Sequence, residues 1–279
     1  MFLPQHVSKR WARRNLLQFA ALAVSAPAWP LAAAHPTAGL SIADVTDKPV
    51  LGDEFPTQSP QLVLEMVRVS HFDLKRVQQL VDAHPSLARA AWDWGFGDWE
   101  TALGAASHMG NRPIAEYLVS RGAPPSLFSA AMLGQLEMVK AFAGVQLGIQ
   151  RIRGPHSISL LAHAQAGGEA AQKVYEFIRS LGDAEGDTSA PLSPADLESI
   201  VGGYPFGTAP NDCIEVSANK NNLTWTRRGT MGRPLFHLGE RVFYPSGAPA
   251  VRIRFTQQGS ETKMTIHDPD VVLTALRRK

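Results

Sequence analysis

The 279 residues, 44% hydrophobic and 19% charged, suffice for two modest cores and are too apolar for a disordered chain. Lysine and arginine number 27 against 25 acids, but four of those cations stand in the first 34 residues; the remainder, 23 against 25, is near neutral and lacks the basic excess that nucleic-acid binding uses. Cys213 is the single cysteine, which excludes an intrachain disulfide.

Residues 1–34 carry Lys9, Arg10, Arg13 and Arg14, no acid, and then an Ala/Leu-rich run ending in PLAAAH. This is a basic n-region, an apolar h-region and a small-residue cleavage site. The pair Arg13–Arg14 before NLLQFAALAV resembles a twin-arginine export signal, with Ala12 and Leu16 in place of the usual serine and phenylalanine, so general secretory export stays open. Gln18, Ser25, Pro27 and Pro30 interrupt the apolar run, which falls short of the about 20 apolar residues of a spanning helix. Cleavage after Ala34, no stable membrane span afterwards and a periplasmic or secreted location are expected. Residues 35–60, containing Pro, Thr, Ser and Asp, read as an extended linker.

Helical spacing begins at residue 61. In DLKRVQQLVDAHPSLA, Leu74, Val77, Leu80 and Val81 share one helix face and Pro85 closes it. The same face returns in GNRPIAEYLVSRGAP, GQLEMVKAFAG and GGEAAQKVYEFIRSLGDA, and the last three segments each follow an alanine-rich partner: TALGAASHM, SLFSAAML and SLLAHAQA. Small residues let paired helices approach closely, and one pair cannot hide its apolar face alone, so neighbours must stack. TALGAASHMG resembles the Thr-Pro-Leu-His-x-Ala pattern of ankyrin repeats at Thr101, Leu103 and Ala106, and RGAP resembles the unit's end. Ala102 and Gly104 depart from that pattern, and Phe72 takes the place of the first turn glycine. The resemblance implies about four degenerate repeats over 61–183.

In such a stack the segment between one outer helix and the next inner helix forms a β-hairpin finger, the slot of WDWGFGDWE. Gly95 and Gly97 permit a tight turn, and the alternation of Trp92, Trp94 and Phe96 predicts one shared face in an extended strand. With Trp99 these rings form a candidate protein-binding edge, or else cover the open end of the stack. Asp93, Asp98 and Glu100 flank them as acids fitting a basic partner or as solvated ends. A later finger, RIRGPHSISLL, places Arg151, Arg153 and His156 around a Gly-Pro turn, either as a second contact tip or as a basic edge that blocks strand addition.

Residues 184–194 read as a linker, followed by a helix in SPADLESIVGGY with Ser193 as N-cap and Pro194 at its first position. Period-two runs then predict seven or eight short antiparallel strands in a β-barrel or sandwich over 195–279. Their order is similar to the lipocalin-like domain that accompanies penicillin-binding-type serine hydrolases, which implies an accessory rather than a catalytic role. Trp225, Phe236, Phe243, Ile253 and Phe255 are the candidate lining of a small apolar ligand site inside this barrel.

No catalytic constellation is expected. Ser217 to Lys220 match a Ser-x-x-Lys spacing but run into a hairpin turn with no Lys-Thr-Gly partner. None of the nine histidines stands in a His-x-x-x-His pattern, His163 reads as a core hydrogen-bond donor, and His267 to Asp270 as a turn; no metal and no cofactor are expected. The fold class is therefore α + β multidomain, an ankyrin-like helical repeat stack followed by a small antiparallel β unit. The leading function is an exported, non-enzymatic adaptor for an unknown protein partner, with ligand binding in the barrel or service as accessory subunit of a periplasmic enzyme as alternatives. An enzymatic role requires polar side chains with shifted pKa to converge in the cleft between the two halves.

Overall fold

The computed structural model describes residues 54–185, 189–219, 222–268 and 271–278. The export signal with Arg13 and Arg14, and most of the segment 35–60, lie outside the described residues. All elements below belong to one compact unit, Asp53–Lys279.

The N-terminal half is four helix pairs: α1 (Pro60–Val69) with α2 (Leu74–Ala83), α3 (Ala102–His108) with α4 (Arg112–Ser120), α5 (Leu127–Met132) with α6 (Leu136–Val145), and α7 (Leu160–Ala166) with α8 (Gln172–Ser180). A side-chain oxygen caps the start of six of these helices, as Thr101 does for the Gly104 amide and Ser159 for that of Ala162, satisfying donors that a helix start leaves free. The alanine-rich helices sit innermost. α3 touches α1, α5 and α7, and α5 touches α7, because side chains of one carbon let the backbones close up. At the α3–α4 turn, a Cβ on Gly110 would stand 2.2 Å from the Ala166 carbonyl oxygen. Two separate cores result, one around Leu103, Ile114 and Leu118 and one around Leu160, Val174 and Ile178.

The C-terminal half opens with α9 (Pro194–Ile200), capped by Ser193, and continues as an eight-stranded antiparallel sheet in chain order. Its strands are β3 (Gly202–Pro205), β4 (Cys213–Asn219), β5 (Asn222–Arg227), β6 (Arg233–Gly239), β7 (Val242–Pro245), β8 (Arg252–Gln258), β9 (Glu261–Asp268) and β10 (Val271–Leu276). The sheet curls into a nearly closed barrel: β10 lies against β3, and the Arg278 amide donates to the Gly203 carbonyl at 2.8 Å. Alternation sends Ile214, Val216, Leu223, Trp225, Phe243, Ile253 and Phe255 inward, where Tyr204, Phe243 and Phe255 stack edge to face. Among the described residues no helix is long and apolar enough to cross a membrane.

Between α2 and α3 the chain makes a β-hairpin, β1 (Ala91–Asp93) and β2 (Trp99–Thr101), with Trp92 opposite Glu100. Trp92 and Trp94 pack on the core of the first two helix pairs. Phe96 does not share their face, because the strand ends at Asp93 and the turn carries positive φ at Gly95, Phe96 and Gly97. It swings over to the barrel core, its ring 5.7 Å from Trp225. The hairpin therefore joins the halves.

Candidate metal centre

Four chain segments bring one polar cluster to that joint. His71 follows the C-terminus of α1, Glu100 lies at the middle of β2, His108 ends α3, and His156 sits in the loop before α7. One donor atom from each lies within 4.8 Å of all the others. Glu100 is fully buried at the floor: its Oε1 is 2.8 Å from His108 Nε2, and its Oε2 is 3.6 Å from His71 Nε2 and 3.4 Å from His156 Nε2. The indole N–H of Trp94 donates to Oε2 at 2.8 Å.

The outer nitrogens fix the inner ones. His71 Nδ1 is 3.0 Å from the carbonyl oxygens of Val67 and Arg68, which only accept, so Nδ1 donates to them and Nε2 is turned toward Glu100. His156 Nδ1 is 2.8 Å from Asp98 Oδ2, the carboxylate–histidine arrangement that orients metal ligands. Both Nε2 atoms thus converge on one buried carboxylate. Burial alone would raise the Glu100 pKa, but hydrogen bonds from His108 and His156 and the positive charge of His156 and His71 bring it down to about 2. Burial alone would lower that of His156, but the hydrogen bonds to Asp98 and Glu100 carry it up to about 9. Tetrahedral bonds of about 2.0–2.1 Å set donors about 3.3 Å apart, so four donors within 4.8 Å of one another would draw together around a zinc-sized ion.

Asp98, 2% exposed, anchors the cluster. Its carboxylate accepts from the His156 backbone amide at 2.9 Å and from Arg233 Nη1 at 3.1 Å, besides the His156 ring. Burial opposes its ionisation, but the His156 hydrogen bonds and the charges of His156 and Arg233 keep its pKa below the usual range. His156 and Ser157 both hold left-handed φ, near 57° and 58°, a conformation that bulky residues adopt only where their surroundings impose it. The Ser246 hydroxyl donates to the His156 carbonyl, and the Gly247 amide donates to Ser157 Oγ at 2.7 Å. Gly247, at φ +82°, lies under the Asp98 carboxylate: an added Cβ would stand 2.1 Å from its Cγ. Gly247→Ala should cost about 2–4 kcal/mol in chemical denaturation through overpacking and backbone strain together, and an unchanged midpoint would refute this seat for Asp98.

The histidines face a cleft of about 530 Å3 between the halves. One wall carries Arg68 from α1 with Trp92 and Trp94 from the hairpin, and the other is Met231 in the β5–β6 turn with Arg233 and Pro234 at the start of β6. A metal held by His71, Glu100, His108 and His156 would supply Lewis-acid chemistry to this cleft. Trp94→Phe keeps the wall but deletes the donor to Glu100, with an expected loss of about 2 kcal/mol in the metal-free protein, read by urea denaturation.

The residues singled out from sequence are scattered by this fold. Trp92 and Trp94 line the cleft half-buried, Phe96 docks on the barrel, and Trp99 alone of the four rings stays exposed, at 63%. Asp98 and Glu100 are buried rather than solvated. Arg151 pairs with Asp183 on the surface, and Arg153 donates to the carbonyls of Ser157 and Glu185 within its own neighbourhood. Trp225, Phe243, Ile253 and Phe255 fill the barrel interior, whereas Phe236 lies on the opposite face of β6 and stacks on Tyr244, one residue out of phase with Leu235 and His237. His163 is buried, its Nδ1 2.8 Å from the Ser159 carbonyl; burial, only partly offset by that bond, lowers its pKa to about 4. His71 and His108 were not read from the sequence, and His156 was read only as a contact tip, because no short spacing links the three; the available local signal was three acids in a tryptophan-rich turn. No protein-family model, curated protein or solved structure matches the chain.

Proposed function

We propose that this protein holds a divalent transition-metal ion in the cleft between its helical and β halves, with His71, His108 and His156 as imidazole ligands and Glu100 as the carboxylate ligand, and that it binds its ligand there. The observation that carries this reading is the commitment of Nδ1 on both His71 and His156 to outer acceptors, which aims both Nε2 atoms at one buried carboxylate. Three imidazoles and one carboxylate suit zinc, with cobalt, nickel, iron and manganese as chemically permitted occupants. The cleft above leaves room for a further ligand. Two resemblances complete the reading: an ankyrin-like stack for the helix pairs and a lipocalin-like barrel for the β half, on a chain exported through its N-terminal signal. Metal-free mature protein, dialysed against zinc and analysed by mass spectrometry of the metal, should retain one ion per chain. His71→Ala and His156→Ala should each lower that retention. Absence of retention for all five metals, or retention indifferent to both substitutions, would overturn the proposal.

A second reading, an adaptor for a protein partner, is favoured by the exposed ring of Trp99 and by the apolar side chains exposed along and after α6, including Phe142, Val145 and Leu147. Because Trp92 and Trp94 pack inward, Trp99→Ala is the informative variant: loss of a co-purifying partner with unchanged stability supports this reading, and unchanged recovery rejects Trp99 as the contact.

A further inference from the structure

The walls of the metal cleft differ in charge from its floor. Glu100 and Asp98 lie behind the histidines, buried, and no Asp or Glu lines the cleft among the described residues. Its lining cations are Arg68 and Arg233. Arg233 is spent on Asp98 and on the Ser246 carbonyl at 2.7 Å, whereas Arg68, one helical turn before His71, makes no side-chain hydrogen bond or ion pair among the described residues. The larger apolar faces are Trp92 and Trp94 on one side and Met231 and Pro234 on the other, with the hydroxyls of Thr230 and Ser246 beside them. The volume, about 530 Å3, falls within the roughly 300–1,000 Å3 of small-molecule sites.

Resting on the metal reading above, we infer that the cleft binds a small organic oxyanion, a carboxylate carried on an aromatic or similarly flat apolar body. One carboxylate oxygen joins the metal, Arg68 pairs with the other, and the apolar body lies between the indoles and the β5–β6 turn. Charge selects the head: a metal dication with one ligating carboxylate keeps a net positive charge, and Arg68, unpaired among the described residues, adds to it. Shape selects the body, since rings stack on tryptophan and methionine adapts to fill around them. A cationic ligand meets like charge from both.

The test uses mature protein loaded with zinc, and in parallel with cobalt, whose visible absorption reports its coordination shell. The probes are benzoate, phenylphosphonate and benzamidinium, one ring with three heads. Benzoate should alter the cobalt spectrum and bind the zinc form, and benzamidinium should do neither. Phenylphosphonate binding more tightly than benzoate would overturn the carboxylate assignment in favour of a phosphoryl ligand. Arg68→Leu should weaken benzoate by roughly tenfold or more with zinc content unchanged, as expected for a lost charge-assisted pair. Retained zinc with no preference for benzoate over benzamidinium, or an Arg68→Leu variant that binds as well as the parent, would overturn this inference and leave the metal reading standing. Failure to retain any metal would overturn both.

Discussion

Asp98→Ala should destabilise the protein by about 3–5 kcal/mol, the cost of breaking a buried ion pair from one side. The substitution strands Arg233, which is 8% exposed, and leaves the His156 amide and ring without their acceptor. It also acts at the joint, since Asp98 comes from the hairpin, His156 from the loop before α7 and Arg233 from β6. The denaturation midpoint should fall with the slope retained, and the double variant Asp98→Ala/Arg233→Met should cost less than the two single variants together, because it leaves no unpaired charge. A loss below about 1 kcal/mol would show that the pair is as weak as an exposed one.

Zinc should raise the melting temperature of the metal-free protein by about 5–10 °C when free metal is about 100-fold above its dissociation constant, and a chelator should reverse the gain. Binding at that excess contributes about 2.7 kcal/mol, and each kcal/mol moves the transition by about 2–4 °C in a unit of this size. His108→Ala removes the imidazole closest to Glu100 and should abolish the shift while the fold persists, because His108 is a proposed ligand and not a link between the halves. Glu100→Gln should weaken the shift as well, since the amide keeps the shape but not the charge. A zinc-dependent shift of equal size in His108→Ala would place the ion elsewhere on the protein.

Much of the secondary structure follows from local chemistry. The helix at Leu74 is written in its apolar spacing, the start of α9 in Ser193 and Pro194, and the barrel in period-two strands, because each depends on residues within one or two turns of chain. The hairpin was also legible, from Gly95 and Gly97 between aromatic runs. The use made of these elements was not. Phe96 left its predicted face because the glycines around it broke the strand, and Phe236 faced outward because inward positions on β6 are set by its pairing with β7, through His237 opposite Phe243.

The sequence by itself determined an α half, a β half and the absence of any disulfide to hold them. Only the tertiary structure decided that they meet over a buried carboxylate, and that histidines from three separate segments surround it. The physical reason is range: caps, turns and alternation act between neighbours in the chain, whereas a donor set for a metal is a property of distances in space, fixed by how the hairpin, the α1 terminus and the loop before α7 pack. Asp98 looks like a surface acid in the sequence because its partners His156 and Arg233 arrive from distant segments, and Glu100 because, of its histidine partners, only His108, eight residues on, lies near it in the chain.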